Sequence, residues 1–371
     1  MRKVLFTATI DKHILRFHLP YLEWFKQQGF EVHVAAKGNE DIPFCDVRHT
    51  ISVERTPFSF NNIKAIRELK AITKKHQFDL VHCHTAMASV VTRLACLETR
   101  KRGTKLLYTA HGFHFFKGGS LKNWLLYYPV EKLLSRYTDA IITINQEDFK
   151  LISDKGFKTK GHLLESGMGV STQRFYPVDT ATKMELRSKK GYASDAFILI
   201  YVAEFIHRKN HQFILDEVEG LAKEIHGLKI IFAGRGQLLE KMKAYAITKK
   251  IDDLVDFLGF RMDVNELMNL ADLGISASRQ EGLGLNLAEE LFCGLPVVAT
   301  NDRGHREIIK DGYNGFMFEQ DNVQIFQQQI LQLYNDEHLY KKMSVNATKA
   351  TERFSLLKAK TALTEIYQQY I

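Results

Sequence analysis

Short runs of apolar, β-branched residues alternate along this chain with amphipathic stretches, the pattern of βαβ units whose parallel strands are buried on both faces. It predicts strands at Val4–Ala8, Glu31–Ala35, Leu80–His82, Lys105–Tyr108 and Ala140–Ile144, and helices around Leu19–Gln28, Ile63–His76 and Ala88–Glu98. The pattern then restarts. A second set of strands is expected at Phe197–Val202, Leu228–Phe232, Val255–Phe257, Gly274–Ser276 and Pro296–Ala299. Helices are expected between them at Gln212–Glu224, Leu238–Lys249, Val264–Ala271 and Leu287–Phe292. Two successive doubly wound α/β sheets follow, each Rossmann-like, with a ligand cleft expected where they face each other.

The turn-rich stretch Glu165–Arg187 is the expected join. It divides the chain into domains 1–168 and 169–355. The last helical segments, Asn322–Asn335 and Leu339–Tyr370, suggest that residues 356–371 pack back on the first domain.

Length and composition agree with two domains. At 371 residues the chain exceeds one ordinary core, and 45% hydrophobic with 25% charged residues is a globular profile. No apolar run approaches the roughly 20 residues of a membrane span. Met1-Arg2-Lys3 leads straight into a strand, so no signal peptide is expected. Cys45, Cys83, Cys96 and Cys293 are scattered, which fits reduced thiols and a cytoplasmic location. The net charge of +8 is uneven: residues 1–170 carry 26 Lys and Arg against 16 Asp and Glu. A basic first half suits an anionic partner such as a membrane surface or a phosphorylated lipid. Nucleic acid has no recognition motif here and is not expected as a partner.

Candidate chemistry is densest in Ala271–Gly315. A short strand runs through Glu281 into Gly282-Leu283-Gly284-Leu285, and a helix carrying Glu289 follows. Glycines let backbone N–H groups approach an anion, and the helix start adds its positive dipole end. Two carboxylates at this spacing can also be simply solvated. After the next strand set begins, Glu204 precedes His207-Arg208-Lys209, a basic turn. Gly234-Arg235-Gly236 follows another strand, and Phe260-Arg261 follows a third. Phe260 reads equally as a core residue.

These segments together resemble the large retaining GT-B glycosyltransferase family four, whose hallmark E-x7-E is matched by Glu281 and Glu289. The match extends to Ala271-Asp272, Gly294-Leu295-Pro296-Val297-Val298-Ala299, Gly304, Glu307, Asp311-Gly312 and Gly315. Tyr108-Thr109-Ala110-His111-Gly112-Phe113 and Asn123–Glu131 are similar to bacterial exopolysaccharide and capsule enzymes. The resemblance implies that Glu281 holds hydroxyls of the transferred sugar and Glu289 those of the ribose. It implies that Gly282, Leu283, Gly284 and Leu285 cradle sugar and diphosphate, and that Arg208 and Lys209 neutralise the leaving diphosphate. Gly234, Gly236, Phe260 and Arg261 would border the nucleotide. His111 would lie by the donor sugar or the acceptor phosphate, with Thr9, His13, Arg16 and His114 on the acceptor side.

Two departures stand out: Glu204 occupies the place of the family's arginine, and Thr7-Ala8-Thr9 replaces its Gly-Gly. The implied reaction moves a hexose or N-acetylhexosamine from a UDP-sugar, rather than a GDP-sugar, to a lipid-linked or saccharide acceptor. No cofactor is expected. His82, His84 and His114 lack accompanying metal ligands, and no Asp-x-Asp pair occurs, so no metal is expected either. A sugar-nucleotide 2-epimerase and a non-catalytic GT-B partner of another transferase remain the alternatives. Finally, Phe113–Tyr137 mixes aromatic and basic residues, which suits either a membrane-interface surface or a helix with an aromatic core face.

Overall fold

The computed structural model describes residues 1–371. It resolves into two units, one of residues 1–168 and 357–371, the other of residues 169–356.

The first unit holds seven parallel strands: β1 (Lys3–Ile10), β2 (Glu31–Lys37), β3 (Val47–Thr50), β4 (Leu80–His84), β5 (Lys105–Ala110), β6 (Ala140–Thr143) and β7 (Lys160–Leu163). They run in the order β3-β2-β1-β4-β5-β6-β7. β1 is central, with Phe6 opposite Val34 on one side and His82 on the other. Val4, Leu5 and Phe6 are fully buried, as expected for a strand covered by helices on both faces.

The second unit repeats the plan with β8 (Phe197–Val202), β9 (Leu228–Ala233), β10 (Val255–Gly259), β11 (Leu273–Ser276), β12 (Val297–Thr300) and β13 (Gly315–Phe318). Their order is β10-β9-β8-β11-β12-β13. Each sheet therefore reverses its winding once, between β1 and β4 in the first unit and between β8 and β11 in the second. Loops leaving the carboxyl ends of strands at such a reversal diverge to opposite faces and leave a crevice for ligands.

The helix Leu356–Gln368 completes the first unit. Its Tyr367 is fully buried among Tyr21, Trp24 and Phe25. The phenol lies 2.8 Å from His82 Nδ1, and His82 Nε2 lies 2.8 Å from the Thr109 hydroxyl. A buried polar ring is thus satisfied at both nitrogens.

The structure departs from the sequence reading in several places. β3, β7 and β13 were not expected; each has four residues and lies at a sheet edge, β3 and β7 lack an apolar run, and β13 offers only Phe316-Met317-Phe318. The continuous helix expected over Leu339–Tyr370 is broken. Glu337–Thr351 ends in a short 3-10 turn, and Ser355 is extended because the Val170 backbone bonds to Phe354 O and Leu356 N. The helix expected over Ala88–Glu98 is two, Ala86–Ala95 and Leu97–Arg100. The helix Thr180–Lys190 begins inside the stretch read as the join.

Helix Ala86–Ala95 carries Arg93, whose side chain is wholly buried. Its guanidinium donates to Glu131 Oε2 at 2.8 Å, to Ser89 O at 3.1 Å and to Ser89 Oγ at 2.9 Å, and packs 4.6 Å from the Tyr108 ring. Glu131 sits on helix Leu121–Ser135, so this pair ties that helix to helix Ala86–Ala95. Removing one member would strand the other charge. Glu131→Ala should lower the unfolding free energy by about 3–5 kcal/mol in a denaturant titration; wild-type stability would contradict the assignment.

Candidate active site

In the second unit, the loops after β8 and β11 leave the sheet at its winding reversal. The β8 loop turns through a 3-10 segment, His207–Lys209, and ends at Asn210 in the left-handed region (φ 52°). The β11 loop carries Glu281. Lys209 and Glu281 are 72 residues apart in sequence, yet the Lys209 ammonium donates directly to Glu281 Oε1. Arg208 Nη1 lies 3.6 Å from Glu281 Oε2 and donates to Gln280 O at 3.0 Å. Burial opposes ionisation of Glu281, but Lys209 and Arg208 outweigh it and hold the carboxyl down at about 2. The group is therefore an anion with acceptor capacity only.

The surrounding loops are shaped to this carboxylate. Asp302 Oδ1 accepts from the Glu281 and Gly304 N–H groups, both at 2.9 Å, and Arg303 Nε donates to Glu281 O at 3.2 Å. A Cβ on Gly304 would stand 2.8 Å from Glu281 Cβ and Leu283 N, so only glycine admits this approach. Tyr201, buried on β8, donates to Lys209 O at 2.8 Å and lies 2.9 Å from Ser278 Oγ. It fixes the two loops to each other.

Gly284 caps helix Leu285–Phe292 in the left-handed region (φ 81°), over the ring of His305. His305 Nδ1 contacts Thr300 O at 2.8 Å, and burial holds the ring neutral against the pull of Glu281 and Asp302. Sequence reasoning missed His305 and Asp302 and gave Tyr201 no role of its own; their side chains support the loops rather than belonging to a recognisable spacing. The helix starts two residues earlier than expected, so half-buried Glu289 stands just over one turn in.

Gly234 and Gly236 have a packing reason. A Cβ on Gly234 would meet Ala203 O at 1.8 Å, and one on Gly236 would meet Phe205 O at 2.5 Å. The β9 loop thus lies against the β8 loop. Phe260, after β10, is exposed and not in the core, with the Arg235 guanidinium 5.0 Å from its ring. Arg261 instead makes a two-pronged pair with Asp263 at 2.8 and 2.5 Å. Glu204 is exposed to solvent.

The residues expected on the acceptor side belong to the first unit. Half-buried His111 follows β5, and burial lowers its imidazole to about 4. His13 packs edge-on against it, with ring centroids 4.9 Å apart. Thr9 Oγ1 is 2.6 Å from Thr85 Oγ1, and Arg16 lies over Phe17. His114 is apart from that group, stacked on Tyr127 at 4.5 Å. In place of a Gly-Gly loop, β1 runs to Ile10 and a helix, Asp11–Phe17, begins at once. The aromatic face of helix Leu121–Ser135 is core: Trp124, Tyr127 and Tyr128 pack inward, while Leu121, Leu125, Val130 and Leu133 are exposed.

Comparison with known proteins fits this architecture. Residues 182–350 match the family model described as glycosyl transferases group 1, and residues 3–145 match that described as glycosyl transferase 4-like. The putative glycosyltransferase EpsD of Bacillus subtilis is 43% identical, over 100% of this chain and 97% of its own. An Escherichia coli UDP-Gal:alpha-D-GlcNAc-diphosphoundecaprenol alpha-1,3-galactosyltransferase is 22% identical over 95% of this chain and 93% of its own. Among solved structures, Anabaena HepE in complex with UDP-glucose superposes with a TM-score of 0.80 at 19% identity, covering 100% of both chains. The chain belongs to the group 1 glycosyltransferases and has their GT-B fold of two Rossmann-like domains.

One acid beside the site has a separate signature. Glu290 is buried under Gly274, where a Cβ would stand 2.1 Å from its Oε2. Burial, with the charge of Glu289, pushes its carboxyl well above the ordinary range. The folded chain then keeps a proton that the unfolded chain releases. Glu290 favours the fold below about pH 4.3, and that contribution fades as pH rises toward the elevated value. Glu290→Gln does not titrate. Its Tm relative to wild type should therefore climb between about pH 4.5 and 8; a constant offset across that range would show ordinary ionisation.

Proposed function

We propose that the chain is a retaining glycosyltransferase that moves a hexose or N-acetylhexosamine from a UDP-sugar to a lipid-linked or saccharide acceptor in exopolysaccharide synthesis. The convergence of Arg208, Lys209 and Glu281 beside a glycine-capped helix start carries this reading. A nucleoside diphosphate leaving group needs fixed positive charge where its own charge develops, and such preorganised electrostatics is a large catalytic contribution. Lys209 and Arg208 supply that charge, with the helix start behind them, and no divalent ion is invoked at the diphosphate.

The same cluster assigns Glu281. Held ionised, it accepts hydrogen bonds from sugar hydroxyls, a charge-assisted interaction with strong directionality. A carboxyl at about 2 has no proton to give near neutrality, so Glu281 orients the donor and is not a general acid. Glu289 takes the ribose hydroxyls, and the backbone of Gly282–Leu285 the sugar and diphosphate. Phe260 and Arg235 offer a stacked surface for the base. Glu204 is exposed to solvent, and Arg208 stands in for the arginine expected there. No residue is assigned as a covalent nucleophile; the acceptor hydroxyl attacks on the leaving-group face, and the leaving phosphate helps take its proton. UDP as the nucleotide is supported by the ligands of the structurally similar HepE complexes, and the lipid-linked acceptor by the substrate named for the E. coli relative.

Lys209→Ala should reduce kcat by about 10²–10³-fold, and Glu281→Ala should be comparably impaired. Turnover within a few-fold of wild type in both would overturn the assignment. UDP-sugars should raise the Tm more than GDP-sugars at equal concentration, because only a bound ligand stabilises by mass action. Equal silence from all donors would favour a non-catalytic partner.

No helix is long and apolar enough to cross a membrane. Helix Leu121–Ser135 instead turns Leu121, Leu125, Val130 and Leu133 outward beside exposed Lys122, Lys132 and Arg136. We assign it as a contact with an anionic membrane surface, the cytoplasmic leaflet. The chain should sediment with vesicles containing phosphatidylglycerol, less so at high salt. The Leu121→Glu/Leu125→Glu variant should stay in solution; undiminished sedimentation would refute this surface.

A further inference from the structure

Four histidines gather at the winding reversal of the first sheet. His13 and His18 follow β1, His84 ends β4, and His111 follows β5. One ring nitrogen from each lies within 4.8 Å of the other three. The rings are in close contact, with centroids 3.7 Å apart for His18 and His84 and 4.9 Å for His13 and His111.

Their nitrogens are unmet. Both ring nitrogens of His18 and of His84, together with Nε2 of His13 and of His111, are buried without a hydrogen-bond partner. A buried polar atom that nothing satisfies is destabilising. Adjacent His82 shows the contrast, since Tyr367 and Thr109 engage both its nitrogens. A second trio, His33, His49 and His76, also clusters, but His33 already meets Glu31 at 2.6 Å and His49 at 2.9 Å.

Protonation does not resolve the four-histidine group. Burial lowers every one of these imidazoles; neighbouring histidines add to the effect at His13, His18 and His84, and Arg55 and Arg16 reinforce it at His13. The rings are neutral, each with a lone pair. That is the form in which histidine binds a metal.

We propose that His13, His18, His84 and His111 bind one divalent transition ion, with zinc the best fit. Imidazole suits zinc, and four nitrogens suit its tetrahedral preference. Zn–N bonds of about 2.0–2.1 Å put ligand nitrogens about 3.4 Å apart, so no pair has to close by more than about 1.4 Å. His18 and His84 form the buried floor, while half-buried His13 and His111 are the side from which an ion enters. An ion there makes His111 a ligand, and sets a positive centre at the crevice of the first unit. The site uses no residue of the Arg208–Lys209–Glu281 cluster, so it stands or falls independently of the donor reading.

The test uses the full chain, stripped with a chelator, then titrated calorimetrically with Zn²⁺ and separately reconstituted with Co²⁺. One Zn²⁺ per chain at submicromolar Kd and the intense visible bands of tetrahedral Co²⁺ are expected. His49→Ala should keep both. His18→Ala and His84→Gln should each weaken Zn²⁺ binding at least 100-fold while circular dichroism reports an intact fold. The Co²⁺ spectrum of the wild-type chain tests the geometry even if a variant fails to fold. Absence of stoichiometric binding to wild type, a weak octahedral Co²⁺ spectrum, loss of binding in His49→Ala, or its survival in the His18→Ala/His84→Ala chain would each overturn the proposal.

Discussion

A carboxylate as deeply buried as that of Glu281 has to be compensated where it sits, and the loops of the second unit are arranged around that requirement. Desolvation alone would drive the group to its neutral form. Lys209 reaches it from the β8 loop and Arg208 flanks it, while Asp302 and Arg303 hold its backbone. The approach of these segments leaves no space for a side chain at Gly304, and the β8 loop leaves none at Gly234 of the adjoining β9 loop. One electrostatic demand thus fixes the backbone of loops that come from well-separated parts of the chain.

The two units use the same topological opportunity for different chemistry. In both, the loops that matter leave the strands flanking a winding reversal. The second unit fills that place with fixed ionic groups, Lys209, Arg208 and Glu281. The first fills it with neutral imidazoles. A crevice at a reversal is a property of the fold, whereas its ligand is set by the side chains that line it.

Much of this is legible in the sequence. The central strands announce themselves because burial on both faces demands an uninterrupted apolar run, as in Phe197–Val202. Edge strands β3 and β7 do not, since their partly exposed residues carry no such run, and in β13 the run is only three residues long. Glu281, Lys209 and the glycines around them could be named from an ordered set of motifs; that Glu281 is paired with Lys209 could not, because 72 residues separate them. The aromatic stripe of helix Leu121–Ser135 was ambiguous by periodicity, and packing decided it: the rings at 124, 127 and 128 go inward while Leu121, Leu125 and Leu133 face outward. His84 was weighed as a metal ligand and set aside, and its grouping with His13, His18 and His111 was not legible in the sequence. Metal spacing is sought within a local segment, and these side chains come from three different strand ends.

Helix Leu356–Gln368 belongs to the first unit, although residues 169–356 of the second lie between it and the rest of that unit. The second unit is in effect an insertion within the first. On a ribosome, which releases the chain from its N-terminus, the seven-stranded sheet emerges long before the helix that covers it. His82 must wait for the Tyr367 hydroxyl, and Tyr21, Trp24 and Phe25 for its ring, until the entire second unit has been made. The first unit to be synthesised is therefore the last to be finished, and a truncated product lacking that helix would expose an apolar seam for nascent-chain chaperones to recognise.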